Sequence, residues 1–215
     1  MKRTLAHTPN FDRIARAYRW FEYLTLGPLL QQTRNHYLPA LGTPRHALIL
    51  GDGDGRFTRR LLGMYPNLHA DAVDGSASML SLLHRRTLSY SDRLQIHHAD
   101  IRTLTPNCTY DLVITHFLLD CLTEPEVFSF ISRLTPSLAP GTTWLVSEFR
   151  VPPGLLHWPA RLYIRVLYLA FRILTGLRIT HLPDFATPLR AAGFTRIVAH
   201  RTALGLLTTE IWRRP

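Results

Sequence analysis

Residues 47–57 constrain the fold more than any other stretch. The apolar run Ala47-Leu48-Ile49-Leu50 has strand character and meets three glycines spaced two apart, Gly51-Asp52-Gly53-Asp54-Gly55. A helical pattern follows. A strand that ends in a Gly-rich turn and opens a helix builds a crevice lined by backbone, and glycine lets a ligand approach because no Cβ intervenes. Asp74 closes the next apolar strand, Ala70-Asp71-Ala72-Val73. An acid about 20 residues beyond such a turn accepts hydrogen bonds from the two hydroxyls of a ribose. The pattern therefore implies a small molecule that contains a nucleoside.

Strands and helices alternate around this point. Strands are expected at His46–Leu50, His69–Asp74, Leu94–His98, Tyr110–His116 and Thr142–Phe149, and helices at Phe57–Met64, Ala77–Ser89 and Glu124–Leu138. Continuously apolar strands such as Leu112-Val113-Ile114 predict a parallel sheet covered on both faces. Residues 10–38 read as a cap of two helices broken at Gly27-Pro28. Residues 152–180 read as a helical insertion, with a long helix over 154–177 interrupted by Arg161, Arg165 and Arg172. A short helix over Pro183–Ala192 stops at Gly193. Phe194–His200 and Leu206–Trp212 then form an antiparallel pair around Ala203-Leu204-Gly205. At 215 residues the chain is one domain with a full-sized core.

Composition removes several classes. No uncharged apolar run reaches the length of about 18 residues that a membrane-spanning helix requires. The N-terminus lacks an apolar signal core, so a cytoplasmic location is expected. Cys108 and Cys121 are not a CxxC pair and supply neither a metal site nor a disulfide framework. His97-His98 lacks further ligands at suitable spacing, so no metal is expected. The net charge is +10, and Lys2 is the only lysine. The arginines are scattered, without the dense basic run or aromatic signature of a nucleic-acid binder. They read as a solvated surface, with peripheral membrane contact or an anionic substrate as the alternatives.

With these residues in view, the chain resembles the class I S-adenosylmethionine-dependent methyltransferases. Leu50-Gly51-Asp52-Gly53-Asp54-Gly55 looks like that family's first motif, and Val73-Asp74-Gly75-Ser76-Ala77-Ser78-Met79-Leu80 like its second. His98-Ala99-Asp100-Ile101 resembles the third, and Tyr110–His116 the fourth. Leu138-Ala139-Pro140-Gly141 resembles the turn into the fifth strand. The G-x-G-x-G spacing departs from a dinucleotide fingerprint, whose third glycine lies three after the second. The resemblance implies a doubly wound α/β, Rossmann-like fold. Its sheet has seven strands and is mostly parallel, with the last strand antiparallel and inserted between its neighbours. It also implies S-adenosylmethionine as cofactor. Cofactor contacts are then expected at Gly51, Asp52, Gly53, Gly55, Asp74, Gly75, Ser76, Met79, Asp100, Ile101 and His116. One departure concerns the methionine end of the cofactor. The family's usual acid two residues before the first glycine is Ile49 here, so Asp52 or Asp54 is expected to substitute. The N-terminus, Phe11-Asp12-Arg13-Ile14-Ala15-Arg16-Ala17-Tyr18, is similar to the start of quinone-biosynthesis C-methyltransferases.

His116 and Asp120 are the candidates for catalysis. His116 closes the fourth strand, where open α/β sheets place ligands, and a neutral imidazole accepts a proton near pH 7. The competing reading leaves His116 as a cofactor contact and Asp120 as a helix cap. Tyr18, Phe117, Glu148, Phe149 and Trp158 are expected to line the substrate pocket; Tyr18 and Trp158 have core packing as their alternative. The expected activity is methyl transfer to a small, apolar or aromatic metabolite. The other readings are a macromolecular substrate and a non-catalytic S-adenosylmethionine-binding regulator. His116-Phe117-Leu118-Leu119 lacks the Asn/Asp-Pro-Pro-aromatic motif of base amino-methylation, which argues against nucleic acid.

Overall fold

The computed structural model describes residues 26–106, 108–175, 179 and 181–215. The first helix of the expected N-terminal cap, and Tyr18 with it, lies outside the described residues. The second is α1, Pro28–Asn35, with proline in its first turn. There the missing amide hydrogen costs no helical hydrogen bond.

The strands are β1 (His46–Leu50), β2 (His69–Asp74), β3 (Leu94–His98), β4 (Tyr110–His116), β5 (Leu138–Phe149), β6 (Thr195–Thr202) and β7 (Leu207–Arg213). They form one sheet in the order β3-β2-β1-β4-β5-β7-β6. β1 through β5 pair in parallel, and β7 runs antiparallel between β5 and β6. The doubly wound, seven-stranded sheet expected from the sequence is therefore observed. The helices between and after the strands are α2 (Arg56–Met64), α3 (Ala77–Thr87), α4 (Glu124–Leu134), α5 (His157–Thr175) and α6 (Ala186–Ala191).

The pleat of β1 sorts the core into two layers. Leu48 and Leu50 join Val113, Phe130, Ile131, Trp144 and Trp212 on one face. Ala47 and Ile49 join Phe57, Leu61, Leu62, Leu112 and Ile114 on the other. Successive side chains of a strand point to opposite faces, so an unbroken apolar run is what a sheet covered on both sides needs. Ile49 is fully buried in the second layer.

Several boundaries differ from the expected ones, each for a local reason. β5 begins at Leu138 rather than Thr142, because Leu138 already pairs with Tyr110 before the register slips and resumes at Leu112 and Thr143. Gly141, at φ 78°, sits within that irregularity. The helices after β2 and β4 each tighten into a final 3-10 turn, Leu88–Tyr90 and Thr135–Ser137. α4 starts at Glu124 as expected, because the Glu126 carboxylate accepts from both the amide and the hydroxyl of Thr123, each at 2.8 Å. α6 starts late because the Asp184 carboxylate caps it, accepting from the amides of Ala186 and Thr187.

Gly55 opens α2 at φ 78°, and a Cβ there would lie 2.8 Å from Cα of Leu83 on α3. The contact is with backbone, so no rotamer change relieves it. Gly55→Ala is expected to destabilise the fold by about 2 kcal/mol or more. The urea midpoint at unchanged m-value measures this, and an unshifted midpoint would contradict the packing described.

Candidate active site

The strand order reverses between β1 and β4, so the loops after these two strands diverge and leave a crevice at their carboxyl ends. Asp74 stiffens one of its walls. One carboxylate oxygen accepts from the Gly53 amide at 3.3 Å and the other from the Ser76 amide at 2.8 Å. The loops after β1 and β2 are thus held by one side chain. Ser76 in turn caps α3, its hydroxyl accepting from the Met79 amide. Gly75, beside it, is exposed. Met79 is buried beneath the Gly-rich loop, and a Cβ on Gly53 would come within 3.8 Å of its sulfur. Gly51 carries no side chain because Cδ1 of Leu118 lies 2.8 Å from where its Cβ would sit.

The two loop acids have different tasks. Asp52 is buried, and its Oδ2 accepts from both the amide (2.9 Å) and the hydroxyl (2.7 Å) of Thr58. It serves as the cap of α2 that Gly55 lacks a side chain to provide. Burial pushes its pKa up to about 6, opposed by the Thr58 hydrogen bonds. Asp54 forms ion pairs with Arg86 (2.6 Å) and Arg56 (2.9 Å). Burial would raise its pKa, but the two guanidinium groups outweigh that and hold it below the ordinary value. Of the two acids expected to replace the one missing at Ile49, Asp54 is therefore committed to arginines, while both Asp52 hydrogen bonds converge on a single oxygen.

At the end of β3, Asp100 accepts from the amide (2.9 Å) and Nε (3.0 Å) of Arg102. Ile101 is packed into the first core layer, its carbonyl held by Arg133. His97 pairs with Asp71, and Nε2 of His98 lies 3.1 Å from the Gly75 carbonyl. Among the described residues no cluster suits a metal ion.

The ends of β4 and β5 hold the most unusual chemistry. His116 is 2% exposed, packs edge-to-face on Phe57, and has no hydrogen bond at either ring nitrogen among the described residues. Burial, then the nearby charge of Arg34, lowers its pKa well below the ordinary value. The imidazole is neutral at physiological pH. Phe117 follows with φ 54°, a left-handed conformation that is costly for a bulky residue and recurs at functional sites. Its ring lies 5.3 Å from that of Phe149.

Glu148 is buried at the edge of β5. Its Oε1 accepts from the amides of Leu118 (3.2 Å) and Leu119 (2.8 Å), and its Oε2 is buried without a hydrogen bond among the described residues. Burial, reinforced by the charge of neighbouring Asp120, raises its pKa well above the ordinary value. Asp120, also buried, is pushed up to about 6. Two carboxyls in one dry site do not both ionise readily, so a charged Asp120 disfavours ionisation of Glu148. Cys121 donates to Asp120 Oδ1 at 3.5 Å, and Tyr168 of α5 donates to the Asp120 carbonyl at 3.5 Å. Burial and then the two acids raise both of these pKa values.

The structure thus brings together His116, Phe117, Asp120, Glu148 and Phe149 at one edge of the sheet. Asp120 does not cap the following helix, because Thr123 and Glu126 do so. Trp158 corrects the expected pocket. It is 72% exposed on the outer face of α5, beneath the guanidinium of Arg161. Arg34 was not singled out from the sequence. It is buried on α1, stacks over Phe117 at 5.2 Å, and its charge acts on both His116 and Asp52. Nothing in the local pattern of α1 distinguishes it from a surface arginine. The relation of Tyr168 and Cys121 to Asp120 was likewise not legible, because it exists only in the folded chain.

Residues 47–141 match a family described as a methyltransferase domain. A trans-aconitate 2-methyltransferase of Methylobacterium nodulans is 30% identical over 181 residues, covering 80% of this chain and 61% of the relative. A polyamine aminopropyltransferase of Nitrosomonas europaea is 32% identical over 114 residues, covering 48% of this chain and 34% of the relative. The chain therefore spans less than two thirds of the length of either curated relative. The solved N-methyltransferase NodS from Bradyrhizobium japonicum WM9, in complex with S-adenosyl-l-homocysteine, superposes with a TM-score of 0.67 at 16% identity. That alignment covers 96% of this chain and 99% of NodS. Together with the sheet order and the Gly-rich loop, these matches identify residues 47–141 as a methyltransferase domain of the class I S-adenosylmethionine-dependent type.

A raised acid pKa carries stability that is present below the group's ordinary value and is lost as pH rises through the folded value. Glu148→Gln keeps an acceptor for the two amides and removes the ionisation. The variant is expected to be more stable than the parent by on the order of 1 kcal/mol at about pH 8, and to lose that advantage by about pH 4. Urea titrations at the two pH values check this; a stability gap independent of pH would contradict the buried-acid assignment.

Proposed function

We propose that the protein transfers a methyl group from S-adenosylmethionine to a small, apolar or aromatic metabolite, in a cytoplasmic setting. The observation that carries this reading is His116. It is a buried imidazole with both nitrogens unbonded among the described residues, beside the Gly-rich loop at the strand-order reversal.

The residues fit the cofactor. The bare backbone at Gly53 leaves a cradle that a Cβ would fill, and the unbonded His116 nitrogens lie at the same crevice. Gly51, Gly53 and Gly55 would bring backbone against it. Asp74, with Gly75 and Ser76, would hold its ribose. Asp100, Ile101 and Met79 would surround its adenine, and Asp52 is the better placed loop acid for its methionine end. When bound, S-adenosylmethionine supplies a methyl group on a sulfonium, which is open to in-line displacement.

The chain's own contribution is alignment, dryness and proton handling. Neutral His116 can accept the proton of an acceptor O–H or N–H. Asp120, ionised above about pH 6, orients polar groups of the substrate, while protonated Glu148 fixes the turn through the Leu118 and Leu119 amides. Phe117 and Phe149 give the substrate side its aromatic wall. α5 would close that side, a reading supported by Tyr168, which reaches the Asp120 carbonyl.

Calorimetry with S-adenosylhomocysteine tests the cofactor assignment, and no detectable heat would sink it. Asp74→Ala is expected to weaken that binding more than tenfold, at about 1.4 kcal/mol per factor of ten. On a substrate found by labelled-methyl screening of a metabolite pool, His116→Ala should lower kcat by about 10²-fold. Unimpaired turnover would leave His116 with a cofactor contact alone.

A further inference from the structure

α5 carries three distinct faces. Ala160, Ile164, Leu167 and Tyr168 are buried against the domain. On the outside, Trp158 (72% exposed), Leu162 (65%), Val166 (58%), Leu169 (56%) and Ile173 (73%) form an apolar row. At 3.6 residues per turn these five positions fall within an arc of about 80°. Leu155, just before the helix, is 99% exposed. A contiguous apolar stripe of this kind marks a binding surface, whereas scattered exposed leucines do not.

Between the buried face and the apolar row lies a row of exposed arginines, Arg161, Arg165 and Arg172. Among the described residues none of them forms an ion pair. These arginines, with His181 and Ile179, line a cavity of about 670 Å³ alongside the helix. The surrounding sequence sharpens the charge: residues 149–183 contain no Asp or Glu and five Arg. No helix among the described residues is long and apolar enough to cross a membrane.

We propose that α5 docks the protein on an anionic phospholipid surface, with the Trp158–Ile173 row in the acyl boundary and Arg161, Arg165 and Arg172 at the lipid phosphates. An interfacial helix needs this combination of an exposed apolar stripe, basic residues along its flank and too short an apolar run to span. The occupant must be apolar and anionic at once, and a bilayer leaflet presents both at the depths these two rows occupy. A second copy fits less well, since an isologous contact of stripe on stripe would offer the arginine rows no anionic partner, α5 carrying no Asp or Glu. The same helix backs Asp120 through Tyr168, so docking would set the candidate site beside the leaflet. The proposal stands on the outer face of α5 and does not depend on the assignment of methyl transfer.

The test is co-sedimentation of the full chain with phosphatidylcholine vesicles, with and without phosphatidylglycerol. Binding is expected only with phosphatidylglycerol, and it should weaken as salt rises. Replacing Arg161, Arg165 and Arg172 by Gln should weaken partitioning by about fivefold for each. Leu162→Glu combined with Ile173→Glu should weaken it more than tenfold. These positions are exposed, and an unchanged thermal midpoint and S-adenosylhomocysteine affinity confirm that the variants are folded. Should the double variant fail to fold, Trp158 gives a second measurement: vesicles should blue-shift the parent's fluorescence and not that of Trp158→Phe. Failure to sediment with either vesicle, equal sedimentation with both, or no effect of the substitutions overturns the proposal. So does a concentration-dependent dimer that the double variant dissolves in place of vesicle binding.

Discussion

The reversal of strand order between β1 and β4 is the constraint on which the rest depends. Because the chain winds outward from β1 to β3 and then returns on the other side, two adjacent loops must part at the carboxyl edge. The opening has to be held without filling it. The Asp74 carboxylate fixes one side of it by taking one amide from the loop after β1 and one from the loop after β2, and Asp52 anchors the start of α2. Both acids hold backbone donors with side-chain oxygens at strand ends. The crevice therefore keeps its shape while its floor stays bare backbone.

The electrostatics of the edge where β4 and β5 end follow from the same burial. Removed from water, His116 loses its proton and Glu148 keeps one, while Asp120 sits near neutrality. One edge thus offers a neutral base and a neutral acid within a few residues of each other, a division of roles that environment alone creates. Arg34 reaches this edge from α1 and connects the helical cap to it through Phe117. α1 is thus part of the site's electrostatics.

Much of the architecture was legible in the sequence. The apolar runs of β1 and β4 and the glycines after β1 are local signals, set by strand burial and by the need for backbone without Cβ. Trp158 shows where such reading stops. It was expected in the pocket wall, yet α5 turns it outward and Tyr168 inward. A helical pattern of apolar residues on nearly every side does not say which side meets the domain. The boundary of β5 was missed for a related reason, since its first residues pair only through an irregularity opposite Tyr110.

By itself, the sequence determined the order of elements, the two-sided burial of the sheet and the presence of acids after β2 and β3. Each of these is written in neighbouring residues as a periodicity or a turn. Tertiary structure alone decided that Asp54 would serve Arg56 and Arg86, that Arg34 would act on His116, and that Asp120 and Glu148 would share one dry edge. Those outcomes depend on desolvation and on charges brought close from distant parts of the chain, and neither exists until the sheet has closed its crevice.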